Sequence, residues 1–241
     1  MKIKHIICDW DETLVHTLST VKKAYDSVFK ALDMKTKSLS EIKTLTSGKP
    51  KSELFIYMLF GDSYNKGKSA ILKTKKGDKK LSHDEVLSVA DFAKKQFYKY
   101  IEENHIKELK PVKGVREFLD FCKEHEISLY ILSSKSPEYL KKEITALGFT
   151  KYFKSTFGSP KLKNGESLED LKNREKPSYG AFLALFNNKP PLKKECCIIG
   201  DGKSDFTLAK NTGCRFIPVN SSLEGSFKTL NQVKKYLEKE I

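Results

Sequence analysis

Apolar residues recur along this chain in two rhythms, and the change between them divides it. Residues 3–9 form a short apolar run, Ile-Lys-His-Ile-Ile-Cys-Asp, of the length and composition of a buried strand that ends on a carboxylate. From about Thr17 to Leu109 the spacing turns to threes and fours, as in Val21, Ala24, Tyr25, Val28, Phe29 and Leu32, which predicts helices. A second helical piece is expected over residues 51–60. The stretch 61–80 combines Gly61, Gly67 and Gly77 with a run of lysines, so turn residues and like charges predict a loop. Ser82, followed three residues later by Glu85, reads as a capping box that opens a long helix reaching about Asn104.

After Pro111 helices and strands alternate. The pattern predicts helices over 115–124, 137–147, 177–186, 203–211 and 226–240. Apolar runs at 127–132, 153–157, 196–199 and 215–219 lie between them, and a polar segment fills 159–175. Strands separated by helices imply an α/β fold: a doubly wound parallel sheet with its reactive groups at the C-terminal ends of the strands. The helical block interrupts this alternation after the first strand. Residues 1–16 and 110–241 are therefore expected to form an α/β core, and residues 17–109 an inserted α-helical cap domain. No internal repeat is present.

Composition narrows the class. The chain has 241 residues, enough for one core domain with a smaller insertion, and 39% of them are hydrophobic. No apolar run approaches the ~18 residues of a membrane span, and the N-terminal run is too short for a signal peptide. The five cysteines follow neither disulfide nor zinc spacing, so a reducing, cytoplasmic setting is expected. Adjacent Cys196 and Cys197 should face opposite sides of one strand as small core residues. The net charge of +14 is almost all lysine, the arginines being Arg116, Arg174 and Arg215 alone. Nucleic-acid surfaces favour arginine for bidentate phosphate contacts, so these dispersed lysines read as solvated helix faces. Attraction of anionic substrates is compatible with that charge.

Four strand ends carry chemistry. The first is Asp9-Trp10-Asp11-Glu12-Thr13, whose two carboxylates can share a divalent cation or divide nucleophilic and acid/base roles. The second is Leu132-Ser133-Ser134-Lys135-Ser136-Pro137, a hydroxyl at a strand end before a helix start suited to phosphate. The third is Lys176-Pro177, a lysine directly before a helix that Pro177 opens. The fourth is Gly200-Asp201-Gly202-Lys203-Ser204-Asp205, with carboxylates four apart. Each alone is commonplace, but the ordered set is not. Strand register decides between Ser133 and Ser134, with Ser133 favoured, and Lys163 is a rival to Lys176.

In these four motifs the chain resembles the haloacid dehalogenase (HAD) superfamily of aspartate-nucleophile phosphohydrolases, over residues 3–15 and 112–220. The resemblance implies Asp9 as nucleophile and Asp11 as general acid and then base. It implies Ser133 and Lys176 as holders of the transferring phosphoryl group, and Mg²⁺ held by Asp9, the backbone carbonyl of Asp11, and Asp201. Asp205 would steady Lys176 or a water on the metal, and Thr13 would fix the first motif's loop. Glu12 and Trp10 depart from the glycine and leucine usual there. Dehalogenating relatives lack the second aspartate, so Asp11 implies phosphate-ester hydrolysis. A helical insertion between the first two motifs resembles phosphoglycolate-phosphatase-like members, where such caps select the substrate; Lys49, in Leu45–Pro50, is the candidate specificity residue. The expected function is Mg²⁺-dependent hydrolysis of a small phosphorylated metabolite. The alternatives are a phosphotransferase or phosphomutase on the same scaffold, or a non-catalytic binding module with a basic surface.

Overall fold

The computed structural model describes residues 2–46, 53–65 and 68–240. In chain order the elements are β1 (His5–Cys8), β2 (Val15–His16), α1 (Leu18–Ala31), α2 (Leu39–Thr46), α3 (Leu54–Phe60), β3 (Ser69–Thr74), β4 (Gly77–Ser82) and α4 (His83–Glu108). There follow β5 (Lys110–Pro111), α5 (Val115–Glu124), β6 (Ser128–Leu132), α6 (Pro137–Ala146), β7 (Phe153–Phe157), α7 (Leu168–Arg174) and α8 (Tyr179–Leu185). The chain ends with β8 (Cys196–Gly200), α9 (Lys203–Thr212), β9 (Arg215–Pro218) and α10 (Leu230–Leu237). It divides into two compact units, one joining the chain up to Thr17 with Leu109 onward, the other spanning Leu18–Glu108. No described helix is long and apolar enough to cross a membrane.

The first unit is built on a five-stranded sheet of order β7-β6-β1-β8-β9, parallel throughout. The alternation along each strand separates two cores. Ile6, Cys8, Leu129, Ile131, Cys197 and Ile199 pack on one face with α5, α6 and α10 through Phe118, Leu140 and Val233. Ile7, Tyr130, Leu132, Cys196 and Ile198 pack on the other with α8 and α9 through Phe182 and Leu208. Cys196 and Cys197 therefore serve opposite cores, as their adjacency requires. β1 is central, with β6 and β7 on one side and β8 and β9 on the other, so strand order reverses beside it and opens a crevice at the carboxyl ends. Within this unit β2 pairs antiparallel with β5, Val15 opposite Pro111.

The second unit has its own core, in which Val28 and Phe29 of α1 meet Met58 of α3 and Val86 of α4. Ser82 and Glu85 form the reciprocal cap at its long helix: Ser82 N–H donates to Glu85 Oε2 at 2.8 Å, and Glu85 N–H to Ser82 Oγ at 3.4 Å.

Four expectations need correction. Where a loop was expected over 61–80, β3 and β4 form an antiparallel hairpin from Ser69 onward, so this unit is not wholly helical. Ala70, Leu72 and Leu81 point into the core, while Lys73, Lys75, Lys76, Lys79 and Lys80 occupy exposed positions. The segment 159–175 contains α7, opened by Ser167 and Asp170 as a capping box. Pro177 does not open the next helix, because Ser178 caps it through a 3.0 Å bond from Ala181 N–H. The last helix starts at Leu230 rather than 226, because Phe227 bridges to Val219 and Thr229 supplies the cap.

Candidate active site

Strand β1 delivers Asp9 to the carboxyl edge of the sheet, where its N–H donates to Ile199 O at 2.9 Å. Lys176 reaches it from the loop before α8, with Nζ 2.7 Å from Asp9 Oδ1, and also forms an ion pair with Asp205 Oδ1. The Lys176 and Asp205 side chains are only 3% and 2% exposed. Asp205, in the first turn of α9, accepts the Gly202 N–H through Oδ2 at 3.0 Å. Asp201 follows β8 and is oriented by Thr13, whose hydroxyl donates to its Oδ1 at 3.0 Å. Oxygens of Asp9, Asp201 and Asp205 lie within 4.8 Å of one another.

Burial dominates the electrostatics. It pushes the Asp9 carboxyl up to about 7; Lys176 opposes this and Asp205 reinforces it. Asp201 is raised for the same first reason, against the Thr13 bond. Burial works against the Lys176 ammonium, but Asp9 and Asp205 more than offset it and hold its pKa above the ordinary lysine value.

Ser133 is buried at the end of β6 and Ser134 is exposed, so the register selects Ser133. Its Oγ accepts the Lys135 N–H at 3.1 Å. Lys163 is exposed and its backbone is engaged with Glu166, which leaves Lys176 as the lysine brought to Asp9. Asp205 joins the carboxylate cluster directly as well as holding Lys176, a closer role than its place behind the metal ligands implied. The side chain of Asp11 turns instead toward Lys135, whose Nζ lies 2.8 Å from Asp11 Oδ1. That ion pair falls outside hydrogen-bond geometry, so Asp11 Oδ1 has no hydrogen-bond donor among the described residues. Lys49 lies outside the described residues.

Two participants escaped the sequence reading. Lys135 also contacts Glu143 Oε1 of α6 at 2.5 Å, and Glu143 Oε2 accepts the Trp10 indole N–H at 2.6 Å. Lys135 and Glu143 are eight residues apart across a loop and a helix start, a spacing with no helical signature; the adjacency of Lys135 to the Ser133 motif was the available signal.

Gly200 shows how tightly the cluster is built. A Cβ there would overlap the Asp205 side chain. Gly200→Ala is expected to displace Asp205 from Lys176 and to destabilise the protein by about 1–3 kcal/mol through overpacking. An unchanged urea midpoint would contradict this.

Residues 6–219 match the model of the haloacid dehalogenase-like hydrolase family. The chain belongs to that family. A Clostridium perfringens (strain 13 / Type A) protein, named as the candidate pyrophosphatase PpaX, is 24% identical over 213 residues, covering 88% of this chain and 82% of its own. Among solved structures, a predicted phosphoglycolate phosphatase from Haemophilus somnus 129Pt is 20% identical with a TM-score of 0.70, over 98% of each chain. A candidate β-phosphoglucomutase from Thermotoga maritima is also 20% identical, with a TM-score of 0.71 over 99% of this chain and 100% of its own. At these identities the solved structures share the fold.

Proposed function

We propose that this protein is a phosphomonoester hydrolase that works through an aspartyl-phosphate on Asp9. The carrying observation is the buried carboxylate cluster of Asp9, Asp201 and Asp205 threaded by Lys176. A carboxylate attacking a phosphate monoester meets like-charge repulsion, so positive charge must already be in place. Asp9, Asp11, Asp201, Asp205 and Glu143 bring five carboxylates against the two ammoniums of Lys135 and Lys176. The excess suits a divalent cation, and an all-oxygen donor set suits Mg²⁺. Asp9, Asp201 and the backbone carbonyl of Asp11 would hold it, with Asp205 within reach. Bound there, Mg²⁺ supplies charge neutralisation around the phosphoryl oxygens.

The chain's own groups do the rest. Lys176 and the Ser133 hydroxyl bind the transferring phosphoryl group. Asp9 attacks phosphorus through a carboxylate oxygen as the ester P–O bond breaks, and Asp11 gives its proton to the departing alcohol oxygen. Asp11, now ionised, takes a proton from the water that attacks the aspartyl-phosphate, which releases inorganic phosphate and restores both groups. Residues 18–108 act as the substrate-selecting cap, and Lys49 is the candidate contact within it. The substrate is a small phosphorylated metabolite.

Purified protein assayed against a broad panel of phosphomonoesters, with Mg²⁺ or with EDTA, tests this. Phosphate release from some members, lost in EDTA and restored by Mg²⁺, is expected. A panel left untouched in Mg²⁺ would sink the reading, whereas label appearing on an added acceptor in preference to water would reassign the protein as a phosphotransferase.

A further inference from the structure

We infer that Trp10 and Glu143 are positioning residues which, through Lys135, hold the Asp11 carboxyl in place for proton transfer. The inference rests on the phosphatase reading above. Trp10 and the Glu143 side chain are fully buried, and the Lys135 side chain is 15% exposed. One carboxylate spans two partners: Glu143 Oε2 takes the indole N–H at 2.6 Å, and Oε1 takes the Lys135 ammonium at 2.5 Å. The same ammonium stands 2.8 Å from Asp11 Oδ1. Trp10 lies between the two aspartates of the first motif, Lys135 two residues after Ser133, and Glu143 on α6. The network therefore ties the loop that carries the acid to the loop that binds phosphate.

A buried ion pair is a poor source of stability, because desolvation of both charges offsets their attraction. Its value here is geometric. Lysine is a flexible point charge with three donors, and its pairing with Glu143 is what keeps the Lys135 head at Asp11 rather than in solvent. The indole in turn fixes the second oxygen of Glu143, so the carboxylate cannot rotate away from the ammonium. A bulky residue where leucine is usual thereby acquires a task that leucine could not perform, since only the N–H reaches Glu143. Proton transfer in the transition state needs donor and acceptor at hydrogen-bond distance, and a displacement of about 1 Å can cost about 10²-fold in rate.

The test exploits the leaving group. An alkyl alkoxide needs the proton from Asp11, whereas p-nitrophenolate leaves without one. The quantity to compare is kcat/KM, which ends at formation of the aspartyl-phosphate and so excludes the water step. Glu143→Gln is expected to lower kcat/KM by about 10²-fold on an alkyl phosphate and by under about threefold on p-nitrophenyl phosphate. Should the single variant fail to fold, Glu143→Gln/Lys135→Met removes the pair symmetrically and leaves no unpaired buried charge. The double variant is expected to keep the same leaving-group dependence, without adding the losses of the two changes. Equal losses on both esters, or no loss on either, would overturn the inference while leaving the phosphatase reading intact. Wild type no more active than Asp9→Asn on both esters would remove that reading and this inference together.

Discussion

In Asp9→Asn, turnover of every ester that the wild-type protein accepts is expected to fall by about 10⁴-fold or more, with the fold intact. The amide has no carboxylate lone pair with which to form the covalent intermediate, so only binding and electrostatic contributions survive. Stability should respond in the opposite sense. Burial, reinforced by Asp205 and opposed by Lys176, pushes the Asp9 carboxyl up to about 7, against about 3.9 in an unfolded chain. Between those values the folded protein holds a proton that the unfolded chain has released. Without metal, the wild-type contribution is therefore present at low pH and is lost as pH rises from about 4 to 7. Asparagine carries no such proton, so the variant should lack that part of the slope and be at least as stable as wild type at pH 7. Urea midpoints in EDTA at pH 5 and pH 7 measure the difference. A variant that unfolds earlier than wild type at pH 7 would mean that attraction to Lys176 outweighs the cost of burying the charge. Mg²⁺ held by the proposed ligands would compete with the same proton, so its affinity is expected to climb across this range.

Lys176→Met should damage both stability and turnover. Methionine keeps most of the volume but removes the cation joined to both Asp9 and Asp205, leaving the latter buried without a countercharge among the described residues. Breaking a buried pair in this way costs about 3–5 kcal/mol. Turnover should fall by about 10³–10⁵-fold, the range seen when a cation stabilising phosphoryl transfer is removed. The double variant Lys176→Met/Asp205→Asn separates the two losses: much of the stability should return while activity stays absent. If activity returned with stability, Lys176 would be a structural residue alone.

The core was legible because its signals are local. The run that ends on Asp9, the Ser136-Pro137 helix start and the strand at Cys196 each depend on neighbours in sequence, and Ser136 does cap α6, with Pro137 in its first turn. The hairpin of β3 and β4 was misread because its buried face is only Ala70, Leu72 and Leu81, and lysines dominate everything else. A hairpin covered on one face can be charged on the other, so the charge run hid a period-two pattern. The α7 cap was legible in Ser167 and Asp170 but masked by the surrounding polarity. Within the site, Asp9, Lys176 and Asp205, from the first, third and fourth motifs, lie in contact. Lys135 and Glu143 could not be found that way, because their pairing depends on how α6 is rotated against β6, a tertiary fact with no repeat in sequence.

The antiparallel pairing of Val15 and His16 with Pro111 and Lys110 has an implication for how this architecture could have grown. It clamps together, within the core unit itself, the two points at which the chain departs at Leu18 and returns after Glu108. The entropy of closing such an excursion rises only logarithmically, by about 0.6 kcal/mol for each doubling in length. From the standpoint of the sheet, a short turn and an entire second unit are thus nearly interchangeable appendages. Chemistry and selectivity can then diversify at different rates, because the ribbon makes the core largely indifferent to what is spliced in beyond it.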